Sequence, residues 1–335
     1  MKLINSSVEV IKPTGYTLQD IYKQIELAGR TCYKSEDNMT DTSAKDFVNR
    51  MVASKHYAML EHGTVYLSIP VWDYKNMKVD RFGEYLDMNY EWLIKILKED
   101  KYSKHKIVEQ KDNEVVIFSE EDLEKRPFHL EYIFITTNYR VIIENKLEAL
   151  LQYLCEPTEY HQKRITTRFI CDRGVSHELV RHRVFSFAQE STRYCNYSKD
   201  KFGNELTFII PSFCKDIPNN TKFEDSVQVN MFVWATTQDN DLKLMVDKFT
   251  QVFLYQLIDT EIACIGLLNN GYKPQEVRAM LPNALKTELV MTGFESDWDH
   301  FFELRCAKAA HPDMQKLANE LKGKFHEKEV DNKDK

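Results

Sequence analysis

The sequence predicts an α+β fold, and three observations lead to this class. Helical periodicity in residues 16–33 and 44–54 is followed by a strand-like run at 64–69. Beyond that run, helix and strand patterns mix without the regular βαβ alternation of a doubly wound sheet, and the C-terminal part is mostly helical. Neither GxGxxG nor GxxxxGKS/T is present, so neither standard nucleotide-binding loop is available.

The N-terminal elements follow from their caps and their apolar spacing. Thr17 is placed to cap the helix 16–33, in which apolar residues recur at helical spacing. The segment 44–54 repeats that spacing and predicts a second helix. Gly63 then separates the helical region from the strand 64–69.

The next stretch, 71–163, is less regular than the regions that flank it. It contains helix-like segments at Glu91–Asp100 and Glu144–Tyr153 and strand-like segments at Glu114–Phe118 and Tyr132–Val141. Because a structureless loop of this length would be unusual, the stretch is expected to be structured.

The C-terminal elements are delimited by helix caps, glycine and proline. In chain order we first predict a strand at 164–170 and a short helix that is capped by Asp172 or Ser176 and runs into Arg181. A helix at 241–270 then stops at Gly271, and the next helix is opened by Pro274 and ends before Leu281. The last elements are a strand at 285–292, a helix through Arg305 with Ser296 and Asp299 as its capping box, and a helix from Pro312 to about Lys322.

Composition and charge exclude several classes of protein. The chain has 335 residues, of which 43% are hydrophobic, which is ample for a packed core. Without a run of about 18 apolar residues or a signal peptide, we expect no membrane segment. Seven cysteines without a CxxC pair argue against a disulfide framework and a zinc site, and favour a reducing, cytoplasmic location without a bound metal. A net charge of -7 disfavours nucleic-acid binding through the overall field.

One short segment, Arg181–Tyr194, concentrates positive charge in this acidic chain. It combines arginines suited to phosphate, hydroxyl donors and flat aromatic rings. Together these groups describe a pocket for a planar phosphorylated molecule such as a nucleotide or a flavin. Two alternatives remain open: a solvated basic turn whose aromatic residues belong to the core, and a basic loop that binds RNA or DNA with stacking aromatics.

The spacing within this segment resembles the signature of the flavin-dependent thymidylate synthases. The triplet Arg-His-Arg at 181–183 is followed after seven residues by Ser191, with Arg-Tyr at 193–194 just beyond. Two other regions are similar to the same family. One is the turn from His56 to Glu-His at 61–62, which resembles a flavin-contacting turn, and the other is the pair formed by Arg278 and Arg305.

The resemblance implies a mixed helix and sheet core of the flavin-dependent thymidylate synthase type. These enzymes are methyltransferases that convert dUMP to dTMP, with 5,10-methylenetetrahydrofolate as the one-carbon donor and NADPH-reduced FAD as the hydride source. They are homotetramers, and each active site is built from more than one subunit. We therefore expect these ligands and this assembly, with no nucleic acid and no membrane as partner. The alternative within the same fold is a catalytically inactive homologue without flavin.

The family's site residues carry over by position. Arg305 is expected to contact the uracil N3/O2 edge and activate the ring as the catalytic residue. The residues expected at dUMP are Glu178, Arg181, Gln189, Glu190, Ser191, Thr192, Arg193, Arg278 and Arg305. The residues expected at FAD are His56, Ala58, Glu61, Arg181, His182, Arg183, Ser186, Gln189 and His300. For His56 and Glu61 the alternative is a helix end with a surface ion pair, and for Arg278 a helix-end salt bridge. Cys195 is interpreted as structural.

The chain departs from the family pattern at several of these positions. Ala-Gln at 188–189 replaces the common Asn-Glu, so one carboxylate near the nucleotide sugar is lost, and Glu190 is a candidate replacement. Cys32 and Ala58 replace a serine and a threonine near the flavin, and His300 replaces an asparagine.

The resemblance covers roughly residues 15–69 and 164–320. The stretch at about 71–163 is therefore interpreted as a structured insertion that interrupts one domain, 1–335. It covers the active site, extends the tetramer interface or does neither, and the sequence does not decide between these. The nearly all-charged tail 326–335 is expected to be frayed.

Overall fold

The fold is known from a computed structural model that describes residues 1–70, 90–111, 114–117, 132–214, 217–238 and 247–331. In chain order the strands are β1 (Lys2–Ile4), β2 (Ser7–Ile11), β3 (Thr64–Pro70), β4 (Lys104–Lys111), β5 (Glu114–Ile117), β6 (Tyr132–Asn138), β7 (Arg164–Asp172), β8 (Ser186–Gln189), β9 (Thr207–Ile209), β10 (Thr221–Lys222) and β11 (Lys286–Phe294). The α-helices are α1 (Leu18–Tyr33), α2 (Ser43–Ala53), α3 (Tyr90–Glu99), α4 (Tyr139–Glu144), α5 (Arg173–Leu179), α6 (Ser226–Gln238), α7 (Lys248–Asn269), α8 (Pro274–Val277), α9 (Glu295–Arg305) and α10 (Pro312–Asp331). This mixture of helices with largely antiparallel sheets confirms the α+β class.

A central antiparallel sheet has the strand order β2-β7-β11-β8. One face buries Phe169 in an apolar cluster with Trp298 of α9 and with residues of α10. The other face contributes Ala188 and Val290 to the cluster that α1 and α2 complete. The sheet therefore lies between two cores, and β8 at its edge begins the second half of the arginine-rich segment.

The helix α1 forms as its sequence predicts. The Asp20 amide donates to Thr17 Oγ1 (3.3 Å) and the Thr17 amide donates to the Asp20 carboxylate (3.2 Å), which completes a capping box. Ile21 and Ile25 are buried against the neighbouring sheets. The C-terminal end of α1 is thereby held beside the arginine-rich segment.

The described part of the stretch 71–163 forms a second sheet together with β3. The strand order is β3-β6-β4-β5, all antiparallel, and β3 pairs with β6 from Thr64 opposite Asn138 to Pro70 opposite Tyr132. α3 adds Leu93 to the core that α1 also enters. These residues are thus built into the fold as regular structure.

The third described sheet joins the N-terminus to the C-terminal helices. β1 lies between β9, to which it is parallel, and β10, to which it is antiparallel. By length and composition alone, α7 could cross a membrane, which departs from the expectation of no such segment. Its residues Leu254, Leu257 and Ile258 are buried in an apolar cluster with β1 and β9, as in a core helix.

Several predicted boundaries within the stretch 71–163 are wrong. The predicted strand 132–141 ends at Asn138, because its side-chain oxygen accepts a hydrogen bond from the Val141 amide (3.0 Å) and caps α4. In place of the predicted helix 144–153, α4 ends at Glu144 and a separate 3-10 turn follows at Glu148–Tyr153. Lys146, with φ of 58°, stands between them in a backbone conformation that ends a helix.

Helix ends in the C-terminal half also differ from prediction. α5 is capped by Asp172 as predicted but ends at Leu179, before Arg181. α7 is capped by Asp247, and residues 241–246 of the predicted helix lie outside the described residues. The predicted capping box of α9 is wrong, because the Asp297 carboxylate accepts from the Phe294 amide (3.3 Å). α10 continues to Asp331, so the part of the tail that the structure describes is helical.

Candidate active site

The candidate site is organised around Arg305, the last residue of α9. Its guanidinium donates from Nη1 to the Glu178 carboxylate (2.6 Å) and from Nη2 to the Glu178 carbonyl oxygen (2.9 Å). Nε donates to Nε2 of His182 (2.9 Å). These partners lie 127 and 123 residues away in sequence, so the fold itself carries Arg305 to the Arg-His-Arg triplet.

His182 can accept this hydrogen bond only while Nε2 is unprotonated. Burial, with a further contribution from the adjacent Arg305 charge, lowers the pKa of His182 to about 4. The imidazole is therefore neutral near pH 7, and its ring stands edge-on to Phe301 at 5.0 Å. Of the five N–H groups of Arg305, three bind Glu178 and His182, which leaves two to donate to a ligand.

The two positions at the centre of the segment point into the protein. Gln189 Nε2 donates to Ser176 Oγ (2.8 Å) and to Thr287 Oγ1 (3.2 Å). Glu190 is 3% exposed, and its carboxylate accepts from Lys286 Nζ (2.9 Å) and from the Tyr197 hydroxyl (3.2 Å). Both carboxylate oxygens of Glu190 are thus bound internally, which does not support Glu190 as the replacement for the lost carboxylate.

Glu190 belongs to an ion cluster that also contains Lys34, Lys286 and Glu288. Glu288 accepts from Lys286 Nζ (2.6 Å) and Lys34 Nζ (2.9 Å). Burial alone would raise the pKa of Glu288, but the two ammonium groups outweigh it and lower the pKa to about 2. The cluster ties β11 and the end of α1 to the arginine-rich segment.

The loop after β8 is joined to the predicted flavin-side turn by an aromatic contact. The Ser191 amide donates to the Cys32 carbonyl oxygen at the end of α1 (3.0 Å). The Tyr194 ring lies 5.6 Å from that of Tyr33, whose hydroxyl hydrogen-bonds to His56 Nδ1 (2.9 Å). His56 therefore lies beside the loop that carries the predicted dUMP ligands.

Four arginines of the predicted site are exposed: Arg181, Arg183, Arg193 and Arg278. Within the described part of the chain, none of the four has a carboxylate within 4.0 Å, so the alternative of a helix-end salt bridge for Arg278 is not observed there. Arg278 lines a small cavity together with the buried Thr192. These guanidinium groups are therefore available to bind an anionic ligand.

The other predicted flavin residues are more dispersed. The Glu61 carboxylate, 7% exposed, is bound by Arg140 Nη1 (2.5 Å), so it forms a part-buried ion pair with a partly exposed arginine. Ser186 is buried, and its hydroxyl has no partner among the described residues. Ala58 is exposed. The exposed His300 hydrogen-bonds to Glu303 (3.4 Å), and no described contact joins it to the other flavin-side residues.

Sequence reasoning missed the residues that the stretch 71–163 contributes here. Lys101 Nζ donates to the carbonyl oxygen of Arg183 (2.7 Å), and Arg140 Nη1 donates to the Glu61 carboxylate. Burial and the charge of Glu61 both raise the pKa of Tyr102. No motif marks these residues. Lys286 and Glu288 were also missed, although their spacing on β11 places both on one face of the strand.

The sequence is similar to a known protein family and to several known enzymes. Residues 138–328, more than half of the chain, match the family model described as thymidylate synthase complementing protein. The flavin-dependent thymidylate synthase of Geobacter sulfurreducens is 29% identical over 149 residues, which are 44% of this chain and 50% of that protein. That of Pyrococcus furiosus is 26% identical over 176 residues, covering 52% of this chain and 59% of the relative.

The matched region thus spans about half the length of these curated relatives. Among solved structures, a UMP/dUMP methylase from Streptomyces cacaoi, bound with 5-Br UMP, aligns over 98% of this chain and 92% of its own. Its sequence identity is 12% and the TM-score is 0.40.

Proposed function

The chain belongs to the family of thymidylate synthase complementing proteins, and on this premise we propose that it converts dUMP to dTMP. The one-carbon unit comes from 5,10-methylenetetrahydrofolate, and NADPH-reduced FAD is the hydride source. The observation that carries the proposal is the contact of Arg305 with Glu178 and His182. This contact supports the proposal because it joins Arg305 to the Arg-His-Arg triplet at 181–183.

Arg305 is the proposed catalytic residue. Adding a carbon at C5 of uracil requires electron density in the ring, and a guanidinium at the N3/O2 edge stabilises the negative charge that then develops. Glu178 and His182 hold the guanidinium in a fixed orientation, with two N–H groups left for that edge. Because His182 is neutral, it adds no positive charge that would repel Arg305.

The exposed arginines are assigned to phosphate. Arg193 and Arg278 lie on the dUMP side with Ser191 and Thr192, and their guanidinium groups have no described carboxylate partner to displace. Gln189 is assigned a positioning role, because its amide is bonded to Ser176 and Thr287.

The residues present fit FAD at its phosphate end. Arg181 and Arg183 are exposed and form no ion pair with a described residue, which suits a diphosphate, and His56 is linked through Tyr33 to the loop that carries Tyr194. On β8, the buried Ser186 hydroxyl has no hydrogen-bond partner among the described residues, so it is a further group that could donate to the flavin. When bound, reduced FAD supplies the hydride that completes the methyl group.

The flavin is tested first by the absorption spectrum of the purified, FAD-reconstituted chain. We expect the bands of a bound flavin and a change in them on adding dUMP. A protein that cannot be reconstituted with FAD would refute the proposed reaction and favour the flavin-free homologue.

The role of Arg305 is tested by Arg305→Ala, which should abolish dTMP formation while FAD stays bound. Lys308→Ala, which removes an exposed cation just beyond α9, is the matched control and should retain both. Formation of dTMP at the normal rate by Arg305→Ala would exclude the catalytic role assigned to this residue.

The proposed assembly is a homotetramer with shared active sites. Its support is an apolar face on α6 and α7 whose residues are each more than half exposed: Val227, Met231, Phe249, Val252 and Ile262. A face of this kind is covered by a second copy of the chain. The double variant Met231→Glu/Ile262→Glu should reduce the molar mass measured by light scattering, whereas Asn319→Glu on α10 should not. An unchanged mass in the double variant would exclude this face as the interface.

The remaining proposals concern organisation and location. We infer one domain, 1–335, interrupted by an insertion at about 71–163. Because all seven cysteines lie in the described residues and are free thiols, a reducing, cytoplasmic compartment suits the chain. Nucleic acid is not a proposed partner, since the net charge is -7.

A further inference from the structure

A cavity of about 470 Å³ lies between β7, α1 and the end of the stretch 71–163. Its walls contain none of the residues assigned to dUMP or FAD. The apolar part of the wall includes Leu27, Ile165 and Val290. Its volume is that of an ordinary small-molecule site.

The cavity wall contains a buried arginine that forms no salt bridge with any described residue. Arg164 is 9% exposed, and among the described residues no carboxylate lies within 4.0 Å of its guanidinium. Nη1 donates to the carbonyl oxygen of Glu61 (3.1 Å), whereas Nε has no described partner. A buried guanidinium is normally paired, because burying an isolated charge is costly. The missing partner is therefore expected to be a ligand.

Two neighbouring groups in the same wall are also free to donate. The Tyr66 hydroxyl oxygen accepts from the Arg164 amide (3.0 Å), so its own hydrogen is available, and burial raises the pKa of Tyr66 to about 12, which keeps that hydrogen in place. Gln24 accepts from the Thr64 amide through its oxygen (3.1 Å), which leaves its NH₂ group without a described acceptor. The interior of the cavity thus offers donors to an acceptor-rich group.

The carboxylates that line the cavity lie at its exposed mouth. Glu156 and Glu295 are exposed, and they are accompanied there by the exposed Lys163. The charges at the mouth are therefore mixed, whereas the only charge on the buried wall formed by described residues is that of Arg164. This arrangement orients an anionic group inwards.

We propose that this cavity is a second ligand site, which binds a small organic carboxylate. The carboxylate pairs with the Arg164 fork and accepts from Tyr66, and the apolar body packs against Leu27, Ile165 and Val290. Part of the wall, including Glu156 and Lys163, comes from the stretch 71–163, which gives that stretch a binding role.

The test compares benzoate with benzamide, which has nearly the same shape but no charge. Binding to the full-length protein is measured by calorimetry and ligand-observed NMR, both with and without added FAD. We expect benzoate to bind saturably and at least tenfold more tightly than benzamide. Arg164→Met should weaken benzoate at least tenfold and leave benzamide unchanged. Arg168→Met, which removes another arginine of β7 that pairs with Glu9, is the matched control and should change neither affinity.

Leu27→Trp, which enlarges a side chain of the cavity wall and leaves Arg164 in the sequence, keeps the proposal testable even if Arg164→Met does not fold. It should weaken both probes at least tenfold, with circular dichroism confirming the fold. Equal affinities for benzoate and benzamide, or benzoate affinity retained in Leu27→Trp, would overturn the proposal. Displacement of benzoate by dUMP would also overturn it, because it would place the probe in the other site. None of these readouts depends on dTMP formation, so they are independent of the proposed reaction.

Discussion

Mild acid is expected to destabilise the folded chain through two buried histidines, His62 and His182. His62 is 1% exposed and hydrogen-bonds through Nδ1 to Thr292 Oγ1 (2.9 Å). Burial, with Arg164 adding to it, lowers the pKa of His62 to about 3, and the pKa of His182 is lowered to about 4. Above pH 6.5, the ordinary value for histidine, both the folded and the unfolded chain hold these rings neutral.

The magnitude follows from proton linkage. Between pH 6.5 and the lowered values, the unfolded chain binds protons that the folded chain excludes, so stability falls as the pH falls. At pH 5 each histidine accounts for a loss of about 2 kcal/mol relative to pH 8. Together the losses approach 4 kcal/mol, a large share of the roughly 5–15 kcal/mol that stabilises a typical domain.

The assay is urea unfolding at pH 8 and pH 5, at one protein concentration and without dUMP. His62→Gln removes one titrating ring, so the difference in unfolding free energy between the two pH values should shrink by about 2 kcal/mol. His177→Gln is the matched control, because His177 is exposed, and it should leave the difference unchanged. If His62→Gln retains the full pH dependence, the linkage argument for this residue is wrong.

Three further predictions concern packing and charge. Gly29→Ala should lower the unfolding free energy by about 1–3 kcal/mol in urea titrations, because the new methyl group meets the Phe47 ring. The control, Gly323→Ala on α10, adds a methyl group that meets nothing within 4 Å and should be neutral or stabilising. Arg140→Ala should lower the unfolding free energy by about 1–3 kcal/mol, because the buried Glu61 carboxylate loses its ion-pair partner. In a double-mutant cycle, adding Glu61→Gln should recover part of that loss. Strictly additive effects of the two substitutions would refute the coupling. Trp298→Ala should cost about 3–5 kcal/mol by calorimetry, since the ring is fully buried, and a loss below 1 kcal/mol would contradict the packing described for α9.

Local signals in the sequence were enough for the elements whose causes are local. The cap of α1 by Thr17 and Asp20 needs only neighbouring residues, and so does the placement of α2 and β3. The family signature placed Arg305 near the triplet at 181–183, and the structure brings them into contact. The cap and the placement of α2 and β3 are readable because each is encoded within one segment, whereas Arg305 was found only through the resemblance to a family.

The features that were missed depend on contacts between distant segments. Glu190 pairs with Lys286 across 96 residues, and no local pattern shows that its carboxylate turns inwards. The strand 132–141 was extended too far because Tyr139 and Val141 suit a strand, whereas the Asn138 cap redirects the chain into α4. The apolar residues of Tyr139–Glu144 satisfy either element, so the pattern alone does not separate strand from helix.

The bond from Lys101 to the Arg183 carbonyl oxygen joins two segments that are 82 residues apart. Such a contact makes the order of one segment part of the stability of the other. If the proposed FAD diphosphate fixes the triplet at 181–183, thermodynamic reciprocity requires that its binding also tightens the attachment of the segment between α3 and β4, and that loosening this attachment weakens FAD binding. A protease that cuts between α3 and β4 would then report on FAD occupancy, although it acts on a part of the chain that the family's motif does not reach.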